Sequence, residues 1–133
     1  MSKGHDPQQE YFGALLVALR EQFDTYDGEL PPDGTPYPFV YIGDVTEGLE
    51  RGYKNAESAR LSYTVHVWHD DTGKRGTLSS MIAQVIETAR NIEQTSNYRY
   101  TFRSEDHTIM PDNSTSKALI HGIVTLTIVA FRR

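Results

Sequence analysis

The sequence contains no cysteine. That absence removes disulfides, thiolate nucleophiles, iron–sulfur clusters and thiolate zinc sites together, so packing has to hold the fold. Proline and glycine are sparse, at 6 and 10 of 133 residues, which excludes collagen-like and low-complexity classes. Hydrophobic residues at 38% and aromatics at 11% exclude wholesale disorder. No apolar run approaches the roughly 18 residues needed to cross a bilayer. Residues 1–11 are polar and lack the hydrophobic stretch of a signal peptide, so no membrane partner is expected and the chain is expected to stay in the compartment where it is made. Basic residues are also short: 13 Lys and Arg face 18 Asp and Glu, a formal charge of -5. The deficit is concentrated in residues 1–34, which hold seven acids and two bases. An acidic chain repels the phosphate backbone, and nucleic-acid binding is disfavoured on bulk charge.

The length fits one domain over residues 1–133, with residues 1–10 as a polar N-terminal segment able to flex. Tyr11, Leu15, Leu19 and Phe23 recur at helical spacing and predict a first helix that starts between Pro7 and Tyr11, with Asp6 suited to its start. Residues 24–36 are rich in Pro, Gly and Asp, leaving room only for a short edge strand at Thr25 and Tyr26. Residues 39–43 read as a strand with apolar residues on both faces. Residues 45–60 read as a long charged loop, and Leu61, Tyr63, Val65 and Val67 then alternate with Ser62, Thr64, His66 and Trp68 as a strand with one core face. Thr77 is the expected cap of a second helix to about Asn91, striped by Leu78, Met81, Ile82, Val85, Ile86 and Ala89. Residues 98–103 and 118–131 read as strands around a loop at 111–116. Strands joined without helical crossovers predict an α+β fold, a largely antiparallel sheet of four to five strands with two helices on one face.

Few residue patterns point to chemistry. His66, His69, Asp70 and Asp71 lie within six residues and are a possible zinc or iron ligand set, with His107 and His121 as further candidates. Strand alternation places His66 and His69 on opposite faces, and no known metal-site spacing is present. Gly73-Lys74-Arg75-Gly76-Thr77 at a helix start is a weak anion-binding pattern that reads more readily as a solvated turn. Carboxylate pairs are available at Asp70 and Asp71 and at Glu105 and Asp106, yet neighbours in sequence rarely both face one cleft. Tyr98, Tyr100 and Phe102 share one face and Arg99, Thr101 and Arg103 the other, an ordinary half-buried strand rather than a single-strand binder. No nucleophile elbow, phosphate loop or zinc-protease helix occurs.

Three segments in order carry a resemblance. They are Tyr26-Asp27-Gly28-Glu29-Leu30-Pro31 followed by Pro36-Tyr37-Pro38-Phe39-Val40-Tyr41-Ile42-Gly43, then Leu61-Ser62-Tyr63-Thr64-Val65-His66-Val67-Trp68, then Gly73-Lys74-Arg75-Gly76 leading into the second helix. Together they resemble the tail completion, or tail terminator, proteins of long-tailed bacteriophages and prophages. The resemblance implies a non-enzymatic structural virion protein without cofactor. Such a protein caps the head-proximal end of the tail tube as a six-fold ring, ends tube polymerisation and takes part in head-tail joining. Its implied partners are further copies of itself, the tail tube protein and the head-completion protein, with DNA only passing through the ring. Its implied location is the tail end of the virion, and the host cytoplasm during assembly. Glu47, Glu50, Arg51, Lys54, Lys74 and Arg75 are the exposed charges expected to set subunit or partner contacts, since a closed ring needs complementary charge to fix register. The alternatives are a small metal-dependent enzyme using His66, His69 and Asp70, and a cytosolic ligand-binding domain.

Overall fold

The computed structural model describes residues 6–49 and 58–133. Its elements in order are α1 (Pro7–Arg20), β1 (Thr25–Asp27), β2 (Phe39–Leu49), β3 (Ser58–His69), α2 (Arg75–Arg90), β4 (Tyr98–Asp112) and β5 (Leu119–Arg132). The strands form one sheet in the order β1-β2-β3-β5-β4. Every pairing is antiparallel except β1 with β2, which is parallel. This is the α+β architecture expected from the pattern of strands and helices.

Local chemistry sets the helix ends. The Asp6 carboxylate accepts from the Gln9 amide at 3.1 Å and Pro7 occupies the first turn, where no amide hydrogen is needed. Four of the polar residues 1–10 are therefore helical, at positions 7–10. The helix stops at Arg20, so Phe23 packs on the core from beyond its end. The second helix starts earlier than expected. Lys74 stands at its N-cap without a side-chain cap bond, and Thr77 lies inside the first turn rather than capping it. The turn explains the difference: the Lys74 amide donates to the Asp71 carbonyl at 3.0 Å and the Leu78 amide to the Lys74 carbonyl at 3.2 Å, which carries the chain into helix three residues sooner.

Both helices lie on one face of the sheet. Tyr11, Leu15 and Leu19 of α1 and Leu78, Ile82, Val85 and Ala89 of α2 share one core with Leu61, Tyr63, Val65 and Val67 of β3 and Val124, Leu126 and Ile128 of β5. At Gly122 of β5 a Cβ would sit 2.8 Å from Ile82 Cδ1, so glycine there lets α2 close onto the sheet. Buried polar groups on this side are matched. The Tyr11 hydroxyl donates to the Ala89 carbonyl at 2.8 Å and the Tyr63 hydroxyl to the Gln8 carbonyl at 2.8 Å, tying the helices and the sheet together. Burial pushes both phenols up and pushes that of Tyr100 up to about 12.

Two strands are longer than their sequence suggests. The expected loop at 45–60 is strand at both ends: Val45 to Leu49 continue β2, paired from Val45 with Tyr63 to Leu49 with Ala59, and β3 begins at Ser58. A register shift between Ile42 and Val45 returns Val45 to the core face, where it packs against the main cluster. Its charged and glycine-rich residues point to loop in isolation, but cross-strand pairing satisfies their backbone. Likewise β4 continues through Glu105, Asp106 and His107 to Asp112. As an edge strand it tolerates solvated side chains, and Pro111, expected to open a loop, is accommodated there.

Candidate functional site

Alternation along β3 turns His66 and Trp68 away from the helices, onto the face opposite Val65 and Val67. Trp68 pairs with His121 of β5, which brings two histidines 55 residues apart into contact. His66 Nδ1 and His121 Nε2 are 2.8 Å apart. The Trp68 ring stacks on His121 with centroids 4.3 Å apart and planes 12° apart, and on His66 at 5.3 Å and 10°. Gly43 fits closely beside this stack, since a Cβ there would lie 3.0 Å from His66 Nε2. The indole Nε1 donates to Asp112 Oδ2 at 3.1 Å. Asp112 Oδ1 in turn accepts from the Ser114 hydroxyl at 2.6 Å and its amide at 2.9 Å.

The electrostatics follow from these contacts. The Ser114 hydroxyl and amide, with the indole and His121 adding to them, hold the Asp112 carboxyl below its usual value. Burial, reinforced by His66, pushes His121 down to about 4 and outweighs the pull of Asp112, whose carboxylate lies 4.0 Å from His121 Nδ1. Burial also lowers His66, with Asp44 opposing. Both rings are therefore neutral at pH 7, and one donates to the other. A carboxylate facing His121 Nδ1 favours the proton there, which leaves Nε2 to accept from His66.

The row of rings continues into a cleft. Phe39 of β2 lies 5.6 Å from Trp68 and 5.1 Å from Tyr37, centroid to centroid. The Tyr41 hydroxyl donates to the Gly28 carbonyl at 2.6 Å and anchors the start of the segment that covers them. Gly28 and Gly34 in that segment have φ of 76° and 88°, a left-handed backbone that glycine adopts without strain. Between residues 30–37 and 112–119 this leaves a cleft of about 500 Å³. Tyr37, Phe39, Trp68 and Leu119 line it together with Asp33, Asp70, Asp112 and Lys117. Lys117 Nζ lies 3.1 Å from Asp70 Oδ2 and holds that carboxyl below its ordinary value.

The sequence-derived candidates are scattered by this geometry. His66 meets His121, whereas His69 Nδ1 accepts from the Asp71 amide at 3.2 Å and lies 3.4 Å from Asp70. The proposed ligand set is therefore split, and among the described residues no group of three or more His, Asp or Glu converges on a metal position. His107 does not join His121 but pairs with Glu105 at 2.8 Å. Of the charged positions, Glu47 is exposed in β2 opposite Leu61, with partial burial and the charge of Asp6 raising its carboxyl. Lys74 and Arg75 are exposed at the start of α2, beyond the other end of the β2–β3 pair. Glu50, Arg51 and Lys54 lie outside the described residues. The histidine pair and the cleft escaped the sequence reading; the alternation of Tyr41, His66 and Trp68 with apolar residues was the available signal, without the partner strand.

No family model and no curated protein matches the chain. Among solved structures, a chain of the virion of a native gene transfer agent particle superposes with a TM-score of 0.55 at 18% identity. The match covers 95% of this chain and 93% of that one, so the two share a fold over nearly their whole lengths.

Proposed function

We propose that this chain is a structural protein of a phage-like virion, without catalytic activity, that caps the head-proximal end of the tail tube and joins it to the head-completion protein. The observation that carries the reading is the shared fold with a chain of a gene transfer agent virion across 95% of this chain. The three sequence segments that resemble tail completion proteins support it from a separate direction. On this reading the protein works as a six-fold ring at the tail end, and Glu47, Lys74 and Arg75, with Glu50, Arg51 and Lys54 by sequence, set register between neighbours. Placement of Glu47 and of Lys74 and Arg75 at opposite ends of the β2–β3 pair suits a heterologous contact, which needs two different patches on each subunit. Deletion of the gene from the virus that carries it should give normal heads with tails of uncontrolled length or tails that fail to join. Normal infectious particles from the deletion overturn the proposal, and normal particles from a Lys74→Glu, Arg75→Glu double variant remove those residues from it.

A further inference from the structure

We propose that the cleft between residues 30–37 and 112–119 is a docking site for an arginine or lysine side chain carried on an extended segment of a partner protein. Its walls are aromatic and already withdrawn from water: Phe39 is 6% exposed and Tyr37 and Trp68 are half-buried. The three rings form a continuous row, with centroid spacings of 5.1 and 5.6 Å. Ring faces attract cations, and a guanidinium can stack on one ring while its edge pairs with a carboxylate.

The charges lining the cleft are unbalanced in the matching direction. Asp33, Asp70 and Asp112 line the cleft with a single ammonium, that of Lys117, which pairs with Asp70. Asp70 and Asp112 are both held as carboxylates, and the neutral histidine pair behind Trp68 brings no positive charge to the wall. Lys117 shows that a cation rests at this rim, since its ammonium lies 3.1 Å from Asp70. Leu30, 62% exposed beside Pro31 and Pro32, extends the cleft as an apolar shelf for the residues flanking an incoming side chain.

Charge selects the occupant. Three carboxylates and one ammonium line the cleft, so its complement is a basic segment of another protein. The inference names a partner contact for the tail-end role, and for the identity of that partner alone it rests on the proposed function.

Trp68 is the sole tryptophan, so its emission reports on the cleft wall. The full chain is titrated with the blocked peptide acetyl-Gly-Arg-Pro-Gly-amide and with the same peptide carrying citrulline, which keeps the shape and removes the charge. Saturable change in Trp68 emission is expected with arginine, at least fivefold weaker with citrulline. An Asp33→Asn, Asp70→Asn double variant should weaken arginine binding at least fivefold at an unchanged thermal midpoint. Lys117→Ala, which frees Asp70 and removes the competing cation, should tighten it severalfold. Equal binding of the two peptides, no saturable change, or no response to either variant overturns the proposal. So does concentration-dependent self-association that the double variant abolishes, since the occupant is then a second copy. Arginine binding by a chain whose deletion leaves normal particles keeps the cleft and discards the tail-end role, and absent binding with faulty tails does the reverse.

Discussion

Val65 and Val67 alternate with His66 and Trp68 along one strand, and the two pairs end in opposite surroundings. The valines lie at 0% exposure under two helices, within a core where the Tyr11 and Tyr63 hydroxyls bond across elements. The histidine and tryptophan lie on the face opposite the two described helices, stacked with His121 from β5 and bounded by the segment that Tyr41 anchors. Further along that face the row gives way to Ser62, Thr64, Thr125 and Thr127, where Ser62 and Thr127 hydroxyls are 3.4 Å apart. One face is thus governed by volume and the other by charge and hydrogen-bond direction. Substitutions should separate them.

The largest effect is expected on the helix side. Ile82→Ala removes a side chain that is 1% exposed and leaves a cavity against Gly122, at a cost of about 2 to 5 kcal/mol. A thermal midpoint within a degree of the parent's would show that α2 does not dock through Ile82. Tyr11→Phe, in the same core, keeps the ring and removes one donor from the Ala89 carbonyl, which the Asn91 and Ile92 amides also reach, for a loss of about 0.5 to 1.5 kcal/mol in denaturant unfolding.

The open face should answer to pH instead. His121 binds a proton at about 4 in the folded chain, below the ordinary 6.5 of an unfolded histidine. Between those values the unfolded state holds more protons. The His121 contribution to stability is therefore full above about pH 6.5, falls as pH drops toward 4 and levels off below. His66 is lowered as well and adds in the same direction. Thermal midpoints of the parent and of His121→Gln measured from pH 4 to 8 should diverge in slope below 6.5; parallel curves would detach His121 from the acid response. A smaller change is expected from Gly43→Ala, whose new methyl would meet His66 Nε2 at 3.0 Å where the ring can tilt away. A loss under about 1 kcal/mol together with displaced His66 ring resonances is the expected result, on the scale of ordinary overpacking with relief.

Much of the architecture was legible in the chain. The Tyr11, Leu15 and Leu19 spacing placed α1, the Leu78 to Ala89 stripe placed α2, and the alternation in β3 separated a core face from an open one. The misplaced strand boundaries share one cause. Residues 45–49 and 104–112 carry charges, glycine or proline that favour loop locally, and they are strand because a neighbouring strand supplies hydrogen-bond partners and the register shifts after Ile42 and Phe102 re-aim their side chains.

Periodicity is a local property, carried by residues within a turn or two of each other, and it was enough to give the elements, their apolar faces and the α+β class. The candidate site depends on distance in another sense. His66 and His121 are 55 residues apart and Trp68 and Asp112 are 44 apart, and each pair meets because β5 lies between β3 and β4 in one register out of several that the apolar pattern would accept. Side-chain alternation limits that choice to steps of two residues, and packing of Gly122 against Ile82 selects among them. The cleft arises the same way, from two segments that approach each other only once the sheet has formed.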